Sequence, residues 1–207
     1  MKVVQIVKKL NNTELGKRKM NDTYVLIPND LDIKEIFEVK GKPVEFEDKY
    51  THEKVTVKNT VDKEKRITGL GEYYKKQGLS AGDEIIFEKR EIGSRIEYVV
   101  YVKKNDDILV FQKARQGFEI LTPERLGRYS NITAGSGETL EITFLTSGKI
   151  RKDSPVTTDF YDIKVSGKSL MDRFSAKELG EIRFQGNRIK VNPFYGWKKY
   201  TFETEEE

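Results

Sequence analysis

The feature that most limits how this chain can fold is a succession of short β-prone runs, each followed closely by a turn signal. Val3–Leu10 alternates loosely and is rich in valine and isoleucine, and Thr23–Ile27 ends at a proline. In Glu53–Lys58 the two valines would share one face of a strand and the polar residues the other. Further runs of this kind are Val44–Phe46, Glu84–Glu88 and Ile96–Val102. The pattern predicts a mainly β fold of the α+β class.

Two short helices are expected among these strands. Asp32–Phe37 carries apolar residues at helical spacing. A second helix is expected to begin at Gly71 and to end at Gly78, since glycine is the usual residue just beyond a helix. With about seven short strands, these helices predict an open pseudobarrel over residues 1–105.

The best boundary between domains is the polar, turn-prone triplet Asn105-Asp106-Asp107. Residues 106–207 are expected to form a second, smaller α+β domain of uncertain role. Within it, Leu140–Leu145 and Phe160–Val165 are predicted strands, and a helix is predicted from Ser169 to Leu179.

Composition excludes several kinds of site. The chain of 207 residues has no cysteine, which excludes disulfides and thiolate metal centres. His52 is the only histidine, so one chain cannot supply a multi-histidine metal site or a paired-histidine nuclease centre. The apolar run at the start is too short for a signal peptide, and no stretch is long enough to span a membrane. These features predict a soluble, cytoplasmic protein without a membrane partner.

The charge is mildly basic and uneven along the chain. There are 38 Lys and Arg residues against 34 Asp and Glu, a net charge of +4. Residues 1–105 hold 22 basic and 18 acidic residues, whereas residues 106–207 hold 16 of each. An excess confined to one half is a weak indication of nucleic-acid binding by that half.

The stretch Glu64–Gly71 combines three adjacent charges, an isoleucine, a threonine and two glycines. Two glycines so close together disfavour a helix, so a strand end or loop that presents the charges outward is expected. Arginine and lysine can donate to guanine O6 and N7, and glutamate can accept from cytosine N4. The alternative is an ordinary solvated charge cluster, which is common.

Four pieces of sequence in fixed order resemble a known family. They are Val7–Asn11, Tyr24–Pro28, Asp32–Phe37 and the run Glu64-Lys65-Arg66-Ile67-Thr68, which is followed by Gly71. Over about residues 6–102 they resemble the N-terminal DNA-recognition domain of EcoRII-type restriction endonucleases, a relative of the plant B-three DNA-binding pseudobarrel. This resemblance does not extend to the C-terminal half.

This resemblance implies two arms that enter the major groove of double-stranded DNA. The first arm would be the loop 17–22 and the second the stretch 63–68, although the first arm matches the family poorly. The residues implied to bind DNA are Lys17, Arg18, Lys19, Asn21, Lys63, Glu64, Lys65, Arg66 and Thr68. Binding itself would need no cofactor.

The resemblance also implies a place in a restriction–modification system. One hypothesis is a recognition module or subunit that leaves cleavage to a nuclease partner. Another is a complete endonuclease whose second domain cuts the DNA. A third is a transcription regulator with the same barrel. The oligomeric state does not follow from the sequence.

The endonuclease hypothesis requires a metal site in the second half. Asp162-Ile163-Lys164 is the acid-x-lysine pattern in which the acid holds Mg²⁺ and the lysine steadies the attacking water. Glu141 on a neighbouring strand is the expected second ligand, with Asp153 or Asp159 as substitutes. The alternative is an amphipathic strand with solvated charges, since the motif is short.

Overall fold

A computed structural model describes residues 1–17, 23–37, 41–60, 64–150, 152 and 155–204. The protein is mostly β, and it divides into two compact units. Unit 1 comprises Met1–Asn105 together with Gly196–Glu207, and unit 2 comprises Asp106–Tyr195. None of the helices in the described ranges is long and apolar enough to cross a membrane.

Unit 1 is an open, curled half-barrel sheet. Its elements are β1 (Lys2–Lys9), β2 (Val25–Leu26), β3 (Pro43–Asp48), β4 (Lys54–Asn59), β5 (Arg66–Thr68), α1 (Gly71–Gln77), β6 (Glu84–Ile92), β7 (Arg95–Lys103) and β16 (Trp197–Glu203). The strands are ordered β16-β1-β6-β7-β3-β4-β5-β2. All neighbours are antiparallel except β3 and β7, which pair in parallel. The mainly β prediction and its seven strands before residue 105 are therefore confirmed.

The inward side chains of this sheet form an apolar core. The rings of Phe37, Phe46 and Phe87 pack against one another with centroids 5.3–5.8 Å apart. Helix α1 begins at Gly71 and ends just before Gly78, as the sequence predicts. Gly78 is the C-cap of this helix and has a left-handed φ of +57°, a conformation that favours glycine. A side chain at Gly69 would meet a backbone oxygen at 2.6 Å, so this position requires glycine.

The predicted helix Asp32–Phe37 is wrong in extent. The segment forms one hydrogen-bonded turn, in which the Phe37 N–H donates to the Ile33 carbonyl at 2.8 Å. Its apolar residues are buried as expected, because a single turn already directs Ile33, Ile36 and Phe37 into the core. A lone turn has too few internal hydrogen bonds to continue as a helix without further support.

The predicted domain 106–207 is also wrong at its end. Strand β16 pairs antiparallel with β1 along its whole length, from Lys8 opposite Trp197 to Lys2 opposite Glu203. The last strand therefore belongs to the first unit and gives its sheet an eighth strand. Local patterning cannot reveal this, because the two paired strands are almost 200 residues apart in sequence.

Unit 2 is an antiparallel sheet with very little helix. Its elements are β8 (Ile108–Lys113), β9 (Phe118–Ile120), a 3₁₀ turn (Pro123–Arg125), α2 (Leu126–Tyr129), β10 (Ile132–Thr133), β11 (Thr139–Lys149), β12 (Thr157–Val165), β13 (Lys168–Ser169), β14 (Leu179–Gln185) and β15 (Arg188–Pro193). The strands are ordered β10-β11-β12-β9-β8-β14-β15, with β13 paired to β12. The core is built around the edge-to-face rings of Phe111, Phe118 and Phe174.

The helix predicted from Ser169 to Leu179 is absent from this fully described segment. Ser169 ends β13, turns follow, and Leu179 begins β14. The apolar residues at helical spacing are nevertheless buried, since Leu170 and Phe174 both pack in the core of unit 2. Turns that carry apolar side chains inward thus imitate helical periodicity in the sequence.

Candidate nucleic-acid interface

The second predicted arm pairs with the edge strand β2, which follows the first arm in the sequence. Leu26 of β2 lies opposite Arg66 of β5, and Val25 lies opposite Ile67. Because directly opposite residues share a face, Leu26 and Arg66 lie on the outer face of the sheet, while Val25 and Ile67 are buried on the inner face. A strand of only two residues therefore connects the end of the first arm to the second arm.

Arg66 is held on two sides at this outer face. Both its Nε and one terminal nitrogen donate to a single carboxylate oxygen of Glu64, the Nε at 3.0 Å. The centre of its guanidinium lies 4.3 Å from the centroid of the Tyr24 ring, a cation–π contact. About a third of the Arg66 side chain, 36%, still faces solvent. Glu64 and Tyr24 thus fix the plane of the guanidinium, which remains accessible.

The hydroxyl of Thr60 bonds to the backbone on both sides of Lys65. This hydroxyl donates to the Glu64 carbonyl at 3.2 Å and accepts from the Arg66 N–H at 3.1 Å. The Lys65 carbonyl accepts from the N–H of Ile27, and the Lys65 side chain is half-buried. Further along the same face, Thr68 lies opposite Lys58. Lys63, predicted here, lies outside the described residues.

The first arm is described only at its base. Lys17 is exposed, and its N–H donates to the Asn12 carbonyl at 2.9 Å. Leu15 and Thr23 form an isolated antiparallel bridge that brings the two ends of the arm together. The other predicted contacts of this arm, Arg18, Lys19 and Asn21, lie outside the described residues.

Sequence reasoning missed a buried charge pair next to strand β2. The Lys8 ammonium lies 2.9 Å from a carboxylate oxygen of Glu14, and both side chains are about 95% or more buried. The other Glu14 oxygen accepts from the Leu26 N–H at 3.1 Å. Burial lowers the pKa of Lys8, and the charge of Glu14 offsets part of that shift. Glu14 therefore connects β1 to the outer edge of β2.

Trp197 of β16 also contacts strand β2, at Leu26. Its indole N–H donates to the Leu26 carbonyl at 2.9 Å, and its ring lies 5.7 Å from the Lys8 ammonium. The backbone N–H and C=O of Leu26 are thus bonded by side chains where a further strand would otherwise pair. The only signal in the sequence was the aromatic, basic character of the last strand, which does not specify a partner.

The charge argument changes once β16 is assigned to unit 1. Counted over the whole sequence, unit 1 has 24 basic and 22 acidic residues, and unit 2 has 14 basic and 12 acidic residues. Each unit therefore has a net charge of +2. The uneven charge between the halves of the sequence does not correspond to a difference between the folded units.

In unit 2, the three predicted catalytic residues share one face of the β11–β12 pair. Glu141 lies directly opposite Lys164, and Asp162 lies two residues before Lys164 in β12. The Lys164 ammonium is 3.8 Å from Asp162, which also accepts from the Ser169 hydroxyl at 2.6 Å. Asp159 lies on the other face of β12, and Asp153 is outside the described residues.

Two carboxylates on one face meet only part of what a Mg²⁺ site requires. Diagonal neighbours such as Glu141 and Asp162 have Cα atoms about 7–8 Å apart, a span that one ion can bridge. Within the described ranges, however, no three acidic or histidine side chains cluster as a metal site. Mg²⁺ would therefore depend on these two residues, water and substrate phosphates.

By fold and candidate site, the chain is a mostly β protein of two units with a charged, aromatic edge on the first. No protein-family model and no curated protein match it. A solved structure described as an Arabidopsis FUS3-DNA complex is 21% identical with a TM-score of 0.35, over 47% of this chain and 94% of that chain. A likeness at this level does not assign the chain to a family.

Proposed function

We propose that unit 1 binds double-stranded DNA sequence-specifically through the major groove, as the recognition part of a restriction–modification system. Lys17 and its neighbours in the first arm would contact phosphates and set the position of the protein. Arg66, with Glu64 and Lys65, would contact base edges. Cleavage would belong to a nuclease partner, and binding would need no cofactor. The restriction–modification context rests on the resemblance of the sequence over residues 6–102.

The observation that carries the proposal is the restrained, accessible guanidinium of Arg66. Reading guanine requires a planar pair of donors held toward O6 and N7. Glu64 engages one side of the guanidinium and Tyr24 covers one face. Ordering a long side chain before binding removes part of the entropy cost of recognition. An ordinary solvated arginine would have neither restraint.

The test is a comparison of single substitutions in quantitative DNA binding, after selection of a preferred sequence from a random duplex library. Arg66→Ala is expected to cost about 1–3 kcal/mol on the preferred site and to relax specificity at one position. Lys17→Ala is the matched control, because a phosphate contact affects all sequences alike. It is expected to reduce the salt slope by about one unit.

Glu64→Ala separates base reading from general charge attraction. Loss of a negative charge near DNA should by itself tighten binding to every duplex. If Glu64 orients Arg66 or accepts from cytosine, its loss should weaken binding to the preferred site while non-specific affinity stays equal or rises. We expect the second result. Uniformly tighter binding to all duplexes would show that the trio does not read bases.

A complete Mg²⁺-dependent endonuclease is the alternative function. The observation in its favour is the common face of Glu141, Asp162 and Lys164. In this hypothesis Glu141 and Asp162 would hold the ion, and Lys164 would steady the attacking water. Two observations argue against it. Asp162 already forms an ion pair with Lys164 and accepts a hydrogen bond from the Ser169 hydroxyl. The helix predicted after β12 is absent, and β12 instead pairs with β13 in a β-hairpin.

Asp162→Ala tests this alternative. The substitution is expected to abolish any Mg²⁺-dependent cutting and to leave DNA affinity nearly unchanged, because the arms lie in unit 1. Ser169→Ala is the control, since it removes the hydroxyl that Asp162 accepts from but leaves both carboxylates. Cleavage would be followed on supercoiled plasmid that carries the selected site, with Mg²⁺ or Mn²⁺. Failure of the unmodified protein to nick it would eliminate the endonuclease hypothesis.

A further inference from the structure

Leu26 is an exposed apolar side chain directly beside the guanidinium proposed to read a base. It lies opposite Arg66 across the β2–β5 pair and is 43% exposed. The next residue along, Ile27, donates its N–H to the Lys65 carbonyl, so Leu26 and Arg66 form a non-hydrogen-bonded pair, the kind in which opposite side chains stand closest. A single exposed leucine is ordinary on a protein surface, and what distinguishes Leu26 is this position.

The backbone of Leu26 is fixed on the side that faces away from β5. Its N–H donates to the Glu14 carboxylate at 3.1 Å, and its carbonyl accepts from the Trp197 indole N–H at 2.9 Å. The Leu26 side chain therefore leaves the sheet from a fixed point. Because the backbone is already ordered, a contact made by this side chain costs little further entropy.

A leucine at this point matches one feature of the major groove. Thymine carries a C5 methyl group, which is apolar and lies on the groove edge. The Cβ atoms of directly opposite residues stand about 4.5–5.5 Å apart, and successive bases of one DNA strand are about 3.4 Å apart. If Arg66 contacts a guanine, Leu26 reaches the next base pair. Since leucine has no donor or acceptor, the methyl group is the base feature that it can recognise.

We propose that Leu26 is a specificity-determining residue, which contacts the C5 methyl of a 5-methylpyrimidine in the base pair next to the guanine that Arg66 reads. This inference rests on the proposed function of unit 1. Thymine and 5-methylcytosine both carry the methyl group. The contact removes the methyl and part of the leucine from water, which strengthens binding by up to about fourfold for one methyl group.

Duplexes that differ by a single methyl group test the proposal in fluorescence anisotropy with the full chain. The positions tested are the two base pairs that flank the guanine whose contact is lost in Arg66→Ala. At one of them, thymine should bind about two- to fourfold more tightly than uracil. At the same position, 5-methylcytosine should exceed cytosine by a similar ratio. Whichever of thymine and 5-methylcytosine binds more tightly is the source of the methyl group that the protein prefers.

Leu26→Ala should abolish both ratios and leave the selectivity for guanine in place. The variant should fold, because the side chain is exposed and both anchors of Leu26 are bonds to its backbone. Leu26→Met keeps an apolar side chain of similar size and should retain part of each ratio. Leu145→Ala is the matched control, since it shortens a leucine of unit 2 that is 48% exposed, and it should keep both ratios in full.

The outcomes separate this inference from the proposed function. Equal affinities within both pairs of duplexes, or ratios that survive Leu26→Ala, would overturn the role of Leu26 while sequence-specific binding stands. Absence of any preferred duplex would instead overturn the proposed function, and the role of Leu26 with it.

Discussion

Glu14→Gln is expected to reduce the free energy of unfolding of unit 1 by about 3–5 kcal/mol, the cost of leaving one charge of a buried pair unpaired. The amide oxygen of glutamine can still accept from the Leu26 N–H, so the edge of β2 remains bonded. What is lost is the negative charge 2.9 Å from the Lys8 ammonium, together with the oxygen that accepts from the Asn11 N–H at 3.2 Å. Urea denaturation followed by the fluorescence of Trp197, the only tryptophan, measures the change.

The stability of the Glu14→Gln variant should depend on pH in a definite direction. Burial already lowers the pKa of Lys8, and removal of Glu14 removes the charge that offsets this shift. The folded state then binds fewer protons than the unfolded state at pH values below the ordinary lysine pKa, so stability rises with pH. The destabilisation by Glu14→Gln should therefore shrink as the pH rises from 7 toward about 10.

The matched control is the double variant Lys8→Met with Glu14→Gln. It removes both charges, keeps a side chain of similar length in the core, and retains the acceptor for Leu26. Most of the lost stability should return, because an uncharged pair no longer buries an unpaired ion. If the double variant is as unstable as Glu14→Gln alone, the ion pair is not the cause of the loss.

The sequence predicted those features of the fold that depend on neighbours in the chain. Valines at alternate positions gave β4 its buried face, and Gly78 ended α1 as expected. The segments 32–37 and 169–179 were wrongly predicted to be helices. Their apolar residues have the spacing of a helical face, but they are buried by turns. In both cases the burial was predictable and the backbone conformation was not.

In the candidate site, too, features that depend on neighbouring residues were predictable, whereas long-range contacts were not. The adjacent charges Glu64, Lys65 and Arg66 are visible in the sequence, and they lie at the start of strand β5, in keeping with the expected strand end or loop. Their supports are not local. Tyr24 lies about 40 residues before Arg66, and the Trp197 indole N–H reaches β2 across 171 residues. A single sequence without known pairings contains no signal for such contacts.

Removal of β16 should have the largest effect of all. A chain that ends at Tyr195 loses the partner of β1 along seven residue pairs, and it loses the indole that bonds the Leu26 carbonyl. It also exposes the Lys8–Glu14 pair, since Trp197 packs beside Lys8. We expect unit 1 to lose at least about 5 kcal/mol, which equals the whole stability of many domains. Sequence-specific DNA binding should disappear with it.

Hydrogen exchange measured peptide by peptide distinguishes this outcome from general unfolding. Amides of β1 and β6 should lose protection in the truncated chain, whereas those of β8 and β14 should keep it, because unit 2 retains all its strands. A chain that ends at Thr204 is the matched control. It keeps β16 and the hydrogen bonds between Thr204 and Met1, and it should behave as the full chain. Undiminished protection of β1 after truncation at Tyr195 would show that β16 adds little to unit 1, and the residues 1–105 would then fold without it.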